Sequence, residues 1–214
     1  MSMTQIKTLR QRTGAGILDC KKALSEADGD LDAAVDWLRT KGIANAAKKS
    51  SRIASEGLVG SYIHANGKIG VLLEVNCETD FVALNDNFKD LVQDISMHIA
   101  AAAPEYVSRD EVPADVAAKE KEIQLARTIE EGKPPQIAEK IVEGRMNKWF
   151  QDICLLEQKF VKADDKTVEQ VVQDAIATIG ENIKVRRFSR FVLGEGLEKR
   201  SDDFAAEVAA QVGN

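Results

Sequence analysis

An Asn-Gly pair at positions 66 and 67 separates two runs of residues that have the alternating pattern of β-strands. This dipeptide is the strongest short signal for a tight hairpin, because both central residues of a type I′ turn need positive φ. The two predicted strands cover 58–65 and 68–77, and the second places one apolar set on a single face: Ile69, Val71, Leu73, Val75 and Cys77. The chain must therefore build an antiparallel sheet around this hairpin.

The residues that precede the hairpin predict a small bundle of three helices. Polar caps and glycines mark their ends: Thr4 and Gly14 for the first helix, Asp28-Gly29 after the second, and Asp30 and Gly42 for the third. Apolar residues recur at helical spacing, with Ile6 and Leu9 on the first helix, Ile17, Cys20 and Leu24 on one stripe of the second, and Leu31, Ala34, Val35 and Leu38 on the third. A bundle of this size is marginally stable alone, and such modules usually serve as docking domains.

The second strand runs into a corner where an acidic and an aromatic residue, Asp80 and Phe81, stand side by side. A strand of an ordinary soluble domain ends in Gly, Asn or Ser and hides the next aromatic side chain, so this corner is a candidate for binding. From the residues alone a second interpretation is about equally good: Phe81 packs into the core and Asp80 caps a helix. Both interpretations stay open at this point.

The rest of the chain alternates helices with short strands. An apolar stripe from Phe88 to Ile99 predicts a long helix that ends near Pro104. Residues 113–150 predict an antiparallel pair of helices joined by a Gly-Lys-Pro-Pro turn. Further predicted elements are a short strand at 160–161, a helix over 167–179, a strand over 183–193 and an amphipathic tail helix over 202–212. This order of elements predicts an α+β fold with an antiparallel sheet.

Composition and motifs indicate a binding protein rather than an enzyme. The chain has no P-loop, no nucleophile elbow and no metal-spaced pair between its two histidines, so we expect no cofactor and a structural role for His98. The net charge of -6 argues against a dedicated nucleic-acid binder. Three cysteines without a Cys-x-x-Cys pair indicate a reducing compartment, and no apolar run has membrane length. We therefore expect a cytoplasmic protein with no membrane association.

Several blocks resemble, in order and across nearly the whole chain, the signature segments of the bacterial elongation factor Ts family. They are RTGAG at 12–16, DCKKAL at 19–24, EVNCETDFV at 74–82, MHIA at 97–100, IVEGRM at 141–146, VLGEG at 192–196 and FAAEVA at 204–209. Each block alone is modest evidence, whereas the ordered set is highly specific. The resemblance implies an N-terminal bundle similar to ubiquitin-associated domains at 1–54. It further implies an α+β core at 55–200 with a helical hairpin at about 113–150, and a C-terminal docking helix at 201–214.

The resemblance also implies a function, that of a guanine-nucleotide exchange factor for elongation factor Tu in translation elongation. Such a protein binds the GDP form, disturbs its Mg²⁺ and phosphate site, and promotes GDP release so that GTP can bind. The implied partner contacts are Thr79, Asp80, Phe81 and Val82 at the Mg²⁺ site, Arg12, Ile17, Leu18, Lys21 and Lys22 in the N-terminal module, and Phe204 and Val208 in the C-terminal module.

The chain resembles the short form of this family, because it has room for only one half of the α/β core. The short form is associated with a homodimer whose second copy supplies the missing half. The resemblance therefore implies a homodimer, and it favours Phe81 as a wedge between elements of the partner's nucleotide domain.

Alternatives to these residue roles stay open. Arg12, Lys21 and Lys22 could form a solvated basic face, which is the commoner fate of paired lysines. Phe204 and Val208 could fold back onto this chain's own core instead of docking on a partner. The helical hairpin could be a partner arm, a dimer element or a spacer.

Two other functions are compatible with parts of the sequence. One is RNA binding through Lys48-Lys49 and a cluster of Arg186, Arg187 and Arg190, of which strand alternation would place Arg186 and Arg190 on one face. The acidic total charge and the lack of an aromatic platform weigh against it. The other is a ubiquitin-type docking adaptor based on the N-terminal bundle, which leaves the rest of the chain unexplained.

Overall fold

The computed structural model describes residues 2–197, apart from the side chains of Pro135 and Gln136. It combines helices with antiparallel strands, which confirms the predicted α+β class. The predicted tail helix, with Phe204 and Val208, lies outside the described residues. Within residues 2–197, no helix is both long enough and apolar enough to cross a lipid bilayer.

The N-terminal bundle consists of α1 (Met3–Thr13), α2 (Ile17–Glu26) and α3 (Leu31–Lys49). Its small core is formed by six buried residues: Ile6, Leu9, Cys20, Ala23, Leu24 and Ala34. The predicted cap Thr4 is wrong, because the Ser2 hydroxyl accepts the Gln5 amide at 3.2 Å while the Gln5 side chain accepts the Ser2 amide at 2.8 Å. This reciprocal capping box fixes the helix start two residues earlier than expected. Gly14 ends α1 in the left-handed conformation, as predicted.

The third helix does not end at Gly42, and this prediction is wrong. α3 continues to Lys49, and Gly42 is buried where α3 packs against α8 (Val168–Ile179). A Cβ atom at Gly42 would lie 3.3 Å from the Cβ of Ala177, so the missing side chain lets the two helices approach closely. The glycine therefore serves helix packing rather than helix termination, and α3 reaches from the bundle to the larger core.

Gly42→Val is expected to lower the free energy of unfolding by about 1–3 kcal/mol, because the added methyl groups overpack the contact with Ala177. The matched control is Gly144→Val, since Gly144 also lies inside a helix but a Cβ atom there would meet nothing within 4 Å beyond the adjacent backbone of its own helix. The control is expected to be neutral or slightly stabilising. Urea denaturation of both variants checks the difference, and equal effects would contradict the packing role.

The sheet begins with the predicted hairpin of β1 (Glu56–His64) and β2 (Ile69–Cys77). Asn66 and Gly67 both have positive φ, at 58° and 79°, and the Lys68 amide donates to the Ala65 carbonyl at 3.3 Å. This is the geometry expected of a type I′ turn, so the hairpin is confirmed. β5 (Lys184–Val192) completes the sheet in the order β1-β2-β5, with both pairings antiparallel.

One face of the sheet is covered by helices. A single turn, α4 (Asp80–Ala83), leads into the predicted long helix α5 (Asp86–Ala102), which packs on β1 and β2, and α8 packs against α5. The core that they enclose contains Val71, Leu73, Val75, Cys77, Phe88, Leu91, Val92, Ile95, Ile99, Val172, Ile176 and Val185. The predicted alternation of β2 is therefore confirmed, with its apolar side chains facing the helices.

The helical hairpin is formed by α6 (Ala114–Glu130) and α7 (Pro135–Ile153), which pack along each other as predicted. A two-stranded ribbon follows, consisting of β3 (Lys159–Phe160) and β4 (Ala163–Thr167), of which the sequence predicted only the first strand. Arg109 fixes the base of the hairpin, since its guanidinium pairs with the Glu157 carboxylate and donates to the Asn147 side chain at 2.9 Å. The hairpin is thus held to the core at its open end.

His98 is a buried structural residue, as predicted. Its Nδ1 accepts the Val161 amide at 3.2 Å, which leaves the proton on Nε2 to face the Gln158 side-chain oxygen at 3.0 Å. Burial lowers the pKa of His98, and the hydrogen bond to Gln158 opposes this shift only in part. The imidazole is therefore neutral, and it joins α5 to the segment that carries β3.

We expect the free energy of unfolding to fall by about 1 kcal/mol between about pH 7.5 and about pH 5.5. The pKa of His98 is lowered in the folded chain. As the pH drops below about 6.5, the unfolded chain therefore binds the proton first, and the free energy of unfolding decreases. Urea denaturation at several pH values measures the slope. His98→Gln should be less stable throughout but should show a smaller slope, and an unchanged slope would contradict this assignment.

Candidate functional site

The corner after β2 exposes the aromatic side chain that the sequence singled out. Phe81 is 81% exposed and Asp80 is also exposed, whereas Val82 is half-buried and packs against the core. The interpretation in which Phe81 fills the core is therefore wrong. Asp80 is not the cap either, because the Thr79 hydroxyl accepts the Val82 amide at 3.4 Å and Asp80 is the first residue of α4. Thr79 is thus the cap, Asp80 and Phe81 are exposed, and Val82 anchors the turn to the core.

Leu84 extends the apolar surface of the corner, and sequence reasoning missed it. Its side chain is 69% exposed, and it follows Phe81 by one helical turn, so the two side chains lie on the same side of the chain. Two large apolar side chains exposed on one short turn are unusual for a residue pair with only a structural role. The spacing of Phe81 and Leu84 predicts that the two side chains share one side of the turn. Only the exposure of Phe81 in the structure shows that this side faces solvent.

A second residue missed by sequence reasoning, Glu181, holds the corner through hydrogen bonds to Glu78 and Thr79. One of its carboxylate oxygens accepts the backbone amides of Glu78 and Thr79, both at 3.0 Å. The other oxygen accepts the Thr79 hydroxyl at 2.7 Å. Glu181 lies in the turn between α8 and β5, far from Thr79 in sequence, and no motif around it pointed to this contact.

Glu78, directly after the end of β2, also contacts the turn that contains Glu181. The Glu78 carboxylate accepts the Asn182 backbone amide at 2.6 Å and pairs with Arg52 at 3.4 Å. Asn182 in turn donates its side-chain amide to the Arg52 carbonyl at 2.8 Å. The corner, the turn before β5 and the residues after α3 are therefore joined by one set of hydrogen bonds.

The second predicted set of contacts lies on the bundle. Leu18 is 81% exposed, and Ile17, Lys21 and Lys22 are exposed beside it on α2. The expectation that Ile17 is buried on the stripe of Cys20 and Leu24 is wrong: Ile17 is 54% exposed, because it is the first residue of α2 and the buried part of the helix begins one turn later, at Cys20. The apolar surface of α2 is thus larger than the sequence pattern indicated.

Arg12 stands apart from the residues of α2, because its guanidinium is engaged with Asp32 at 2.8 Å. Among residues 2–197, no hydrogen bond or ion pair joins the corner residues 79–82 to this N-terminal set. The structure therefore presents two separate surfaces, one at the end of the sheet and one on the bundle.

The face of the sheet opposite α5 forms a third exposed surface, which we call the outer sheet face. Leu72 is 50% exposed at its centre, and cross-strand pairing places Ile63 opposite Gly70 and Gly70 opposite Phe191 on the same face. Val59 and Leu193 are also exposed. Sequence reasoning did not identify this surface, since the exposed positions of β1 and β5 carry no regular apolar pattern.

The arginine cluster proposed for RNA binding is divided between two faces of β5. A bulge opposite Glu74 and Val75 breaks the alternation, so Arg187 pairs with Glu74 at 2.6 Å on the outer face. This contact holds the pKa of the Glu74 carboxyl below its usual range. Arg190 instead donates to the Ala100 carbonyl at 3.2 Å on the helix-covered face. Arg187 is ion-paired and Arg190 is half-buried, so the expected basic patch does not form as one exposed surface.

The titratable groups do not assemble into a reactive centre in the part of the chain that the structure describes. Cys20, Cys77 and Cys154 are all buried, and burial raises the pKa of each thiol, that of Cys154 to about 11. These thiols stay protonated near neutral pH, which makes them poor nucleophiles. Within residues 2–197, no group of three or more His, Cys, Asp or Glu is placed to hold a metal ion.

Comparison with known proteins identifies the family. A family model described as elongation factor TS matches residues 43–195. Elongation factor Ts of Geobacter sulfurreducens is 64% identical, and the alignment covers 100% of both chains. The protein of the same name from Geobacter metallireducens is 63% identical with the same coverage, and that from Desulforamulus reducens is 60% identical over 99% of this chain and 98% of its own. The chain therefore belongs to the elongation factor Ts family.

Proposed function

We propose that this chain is a guanine-nucleotide exchange factor for elongation factor Tu, and that it promotes GDP release during translation elongation. The observation that carries the proposal is the exposed corner, where Phe81 is 81% exposed on a turn fixed by hydrogen bonds. Family membership supports the same function, because the relatives at 60–64% identity carry the name elongation factor Ts.

The proposed mechanism is a wedge. Phe81 and Leu84 enter an apolar crevice in the nucleotide domain of elongation factor Tu, and Asp80 fixes them there by accepting hydrogen bonds. GDP is held largely by Mg²⁺ and by backbone amides around its phosphates, so small displacements of these groups weaken nucleotide binding. Thr79 caps the turn that presents the wedge, and Val82 anchors it to the core.

The energy for this displacement comes from burial of the wedge. Full burial of a Phe or Leu side chain contributes about 1.5–3 kcal/mol, and both side chains are largely exposed in the free chain. The gain is realised only when the crevice opens, so it is coupled to the loss of Mg²⁺ and phosphate contacts. The exchange factor breaks no covalent bond, and it needs no cofactor of its own.

The bundle supplies a second contact in this proposal. Ile17, Leu18, Lys21 and Lys22 lie on exposed parts of α2 and would dock on the same nucleotide domain. Arg12 would contribute at the edge, where it is held by Asp32 in the free chain. We propose a third contact through Phe204 and Val208, which lie beyond the described residues. These contacts hold the partner while the corner acts.

We further propose that the chain forms a homodimer through the outer sheet face. Several large apolar side chains on this face, among them Ile63, Leu72 and Phe191, are exposed to water, which is costly in a free monomer. A two-fold interface would place this face against its own copy and bury the same patch twice. The proposal fits the short form of the family, in which a second copy supplies the missing half of the core.

The exchange function requires that the chain and GDP weaken each other's binding to elongation factor Tu by the same factor. Isothermal titration calorimetry with nucleotide-free elongation factor Tu, and again with excess GDP, tests this coupling. We expect much tighter binding to the nucleotide-free form. Equal affinity in the two titrations would contradict the proposal, because a protein that does not distinguish the two states cannot shift their equilibrium.

A further inference from the structure

The exposed corner has little packing of its own to hold its shape. α4 is a single turn of four residues, and a helix this short does not persist without outside support. Phe81 and Leu84 point into solvent, so only Val82 and Ala83 contact the core. The conformation that exposes Phe81 must therefore be held largely by hydrogen bonds.

Those hydrogen bonds converge on one carboxylate. Glu181 accepts the two backbone amides that enter α4, from Glu78 and Thr79, and also accepts the Thr79 hydroxyl. The Thr79 hydroxyl has one proton, and by giving it to Glu181 it turns a lone pair toward the Val82 amide, which it accepts at 3.4 Å. Glu181 thus orients the cap as well as the backbone of the corner.

A reciprocal contact strengthens this arrangement. The Glu78 carboxylate accepts the Asn182 amide at 2.6 Å, while the Glu181 carboxylate accepts the Glu78 amide at 3.0 Å. Two adjacent chain segments therefore hold each other through side chain to backbone bonds in both directions. Hydrogen bonds to an ionised carboxylate are shorter and stronger than neutral ones, so this pair of contacts resists opening of the corner.

We propose that Glu181 is a positioning residue for nucleotide exchange: it holds the corner in the conformation that presents Phe81, and it acts on exchange only through that corner. The inference rests on the proposed exchange function. Without Glu181, the two amides and the Thr79 hydroxyl bond to water instead, and α4 samples other conformations. The corner must then become ordered when it binds, and the entropy lost in this step reduces the binding free energy that the wedge can supply.

The test is a double-mutant cycle on GDP release from elongation factor Tu, with Phe81→Ala and Glu181→Ala made singly and together. Glu181→Ala alone should lower the maximal release rate by about tenfold, since it removes bonds to a charged acceptor. In the Phe81→Ala background its effect should be clearly smaller, about threefold at most, because only Leu84 and Asp80 of the proposed wedge remain to be positioned. Glu181→Gln keeps one oxygen acceptor and should fall between Glu181→Ala and the unchanged chain.

A matched control separates positioning from general stability. Glu111 also accepts a backbone amide, that of Val107 at 3.1 Å, but it lies away from the corner. Glu111→Ala should leave the release rate unchanged. The proposal is overturned if Glu181→Ala has no effect on its own, or if it lowers the rate by the same factor with and without Phe81.

Amide hydrogen exchange of the free chain tests the role of Glu181 without elongation factor Tu, and so independently of the proposed nucleotide exchange. The amides of Glu78 and Thr79 should exchange at least about tenfold faster in Glu181→Ala than in the unchanged chain, because they lose their acceptor. If the unchanged chain fails to accelerate GDP release from elongation factor Tu, the proposed function is wrong. The exchange rates of these two amides still show whether Glu181 holds the corner. Unchanged protection would overturn the inference by itself.

Discussion

Phe81→Ala is expected to lower the rate of GDP release from elongation factor Tu by about 10- to 100-fold. The substitution removes a side chain that is 81% exposed in the free chain and fully buried in the proposed complex. The lost burial is worth about 1.5–3 kcal/mol, and each 1.4 kcal/mol is a factor of ten. Stopped-flow release of a fluorescent GDP analogue, at saturating exchange factor, measures the effect.

The stability of the same variant provides the comparison that separates a wedge from a core residue. Because Phe81 contributes little to packing, its free energy of unfolding should change by no more than about 0.5 kcal/mol. The matched control is Phe88→Ala, since Phe88 lies nearby in sequence, in the first turn of α5, but is completely buried. That variant should lose about 3–5 kcal/mol of stability. A large stability loss in Phe81→Ala would contradict the wedge.

Leu72→Lys is expected to dissociate the proposed homodimer. Leu72 lies on the central strand of the outer sheet face, and two-fold symmetry would bring the new charge into the interface twice. At about 2 kcal/mol for each copy, the dimer is weakened by about 4 kcal/mol, or roughly 1000-fold in dissociation constant. Sedimentation velocity over a range of concentrations measures it.

The control for this prediction is Ile129→Lys on the helical hairpin. Ile129 is 56% exposed, which is close to the 50% of Leu72, but it lies on α6 rather than on the sheet. We expect this variant to remain dimeric. Dissociation by Ile129→Lys alone would assign the interface to the hairpin, and an unchanged chain that is monomeric at every concentration would contradict the dimer.

Local signals were enough to predict the elements around the site. Asn66-Gly67 and the alternation of β2 predict the hairpin, because turn type and strand face both depend on neighbouring residues. The cap at Thr167 and the left-handed Gly180 bound α8 in the same local way. The true start of α1 also has a local signal, since Ser2 and Gln5 have the spacing of a capping box, but Thr4 is an equally suitable cap residue two positions later.

The features that could not be predicted depend on residues distant in sequence. Gly42 looked like a helix end, and its actual role depends on Ala177 of α8. Glu181 looked like an ordinary turn residue, and it acquires a role only because β5 returns beside the end of β2. The strand β4 was missed because its residues are mostly polar and its pairing with β3 is short. The proposed site combines both kinds of feature.

The most direct test of the central claim is release of labelled GDP from elongation factor Tu in the presence of a large excess of unlabelled GDP. Micromolar amounts of this chain should accelerate release by orders of magnitude over the spontaneous rate, and Phe81→Ala should lose most of that acceleration. Release at the spontaneous rate, with a correctly folded chain present at micromolar concentration, would contradict the proposed function.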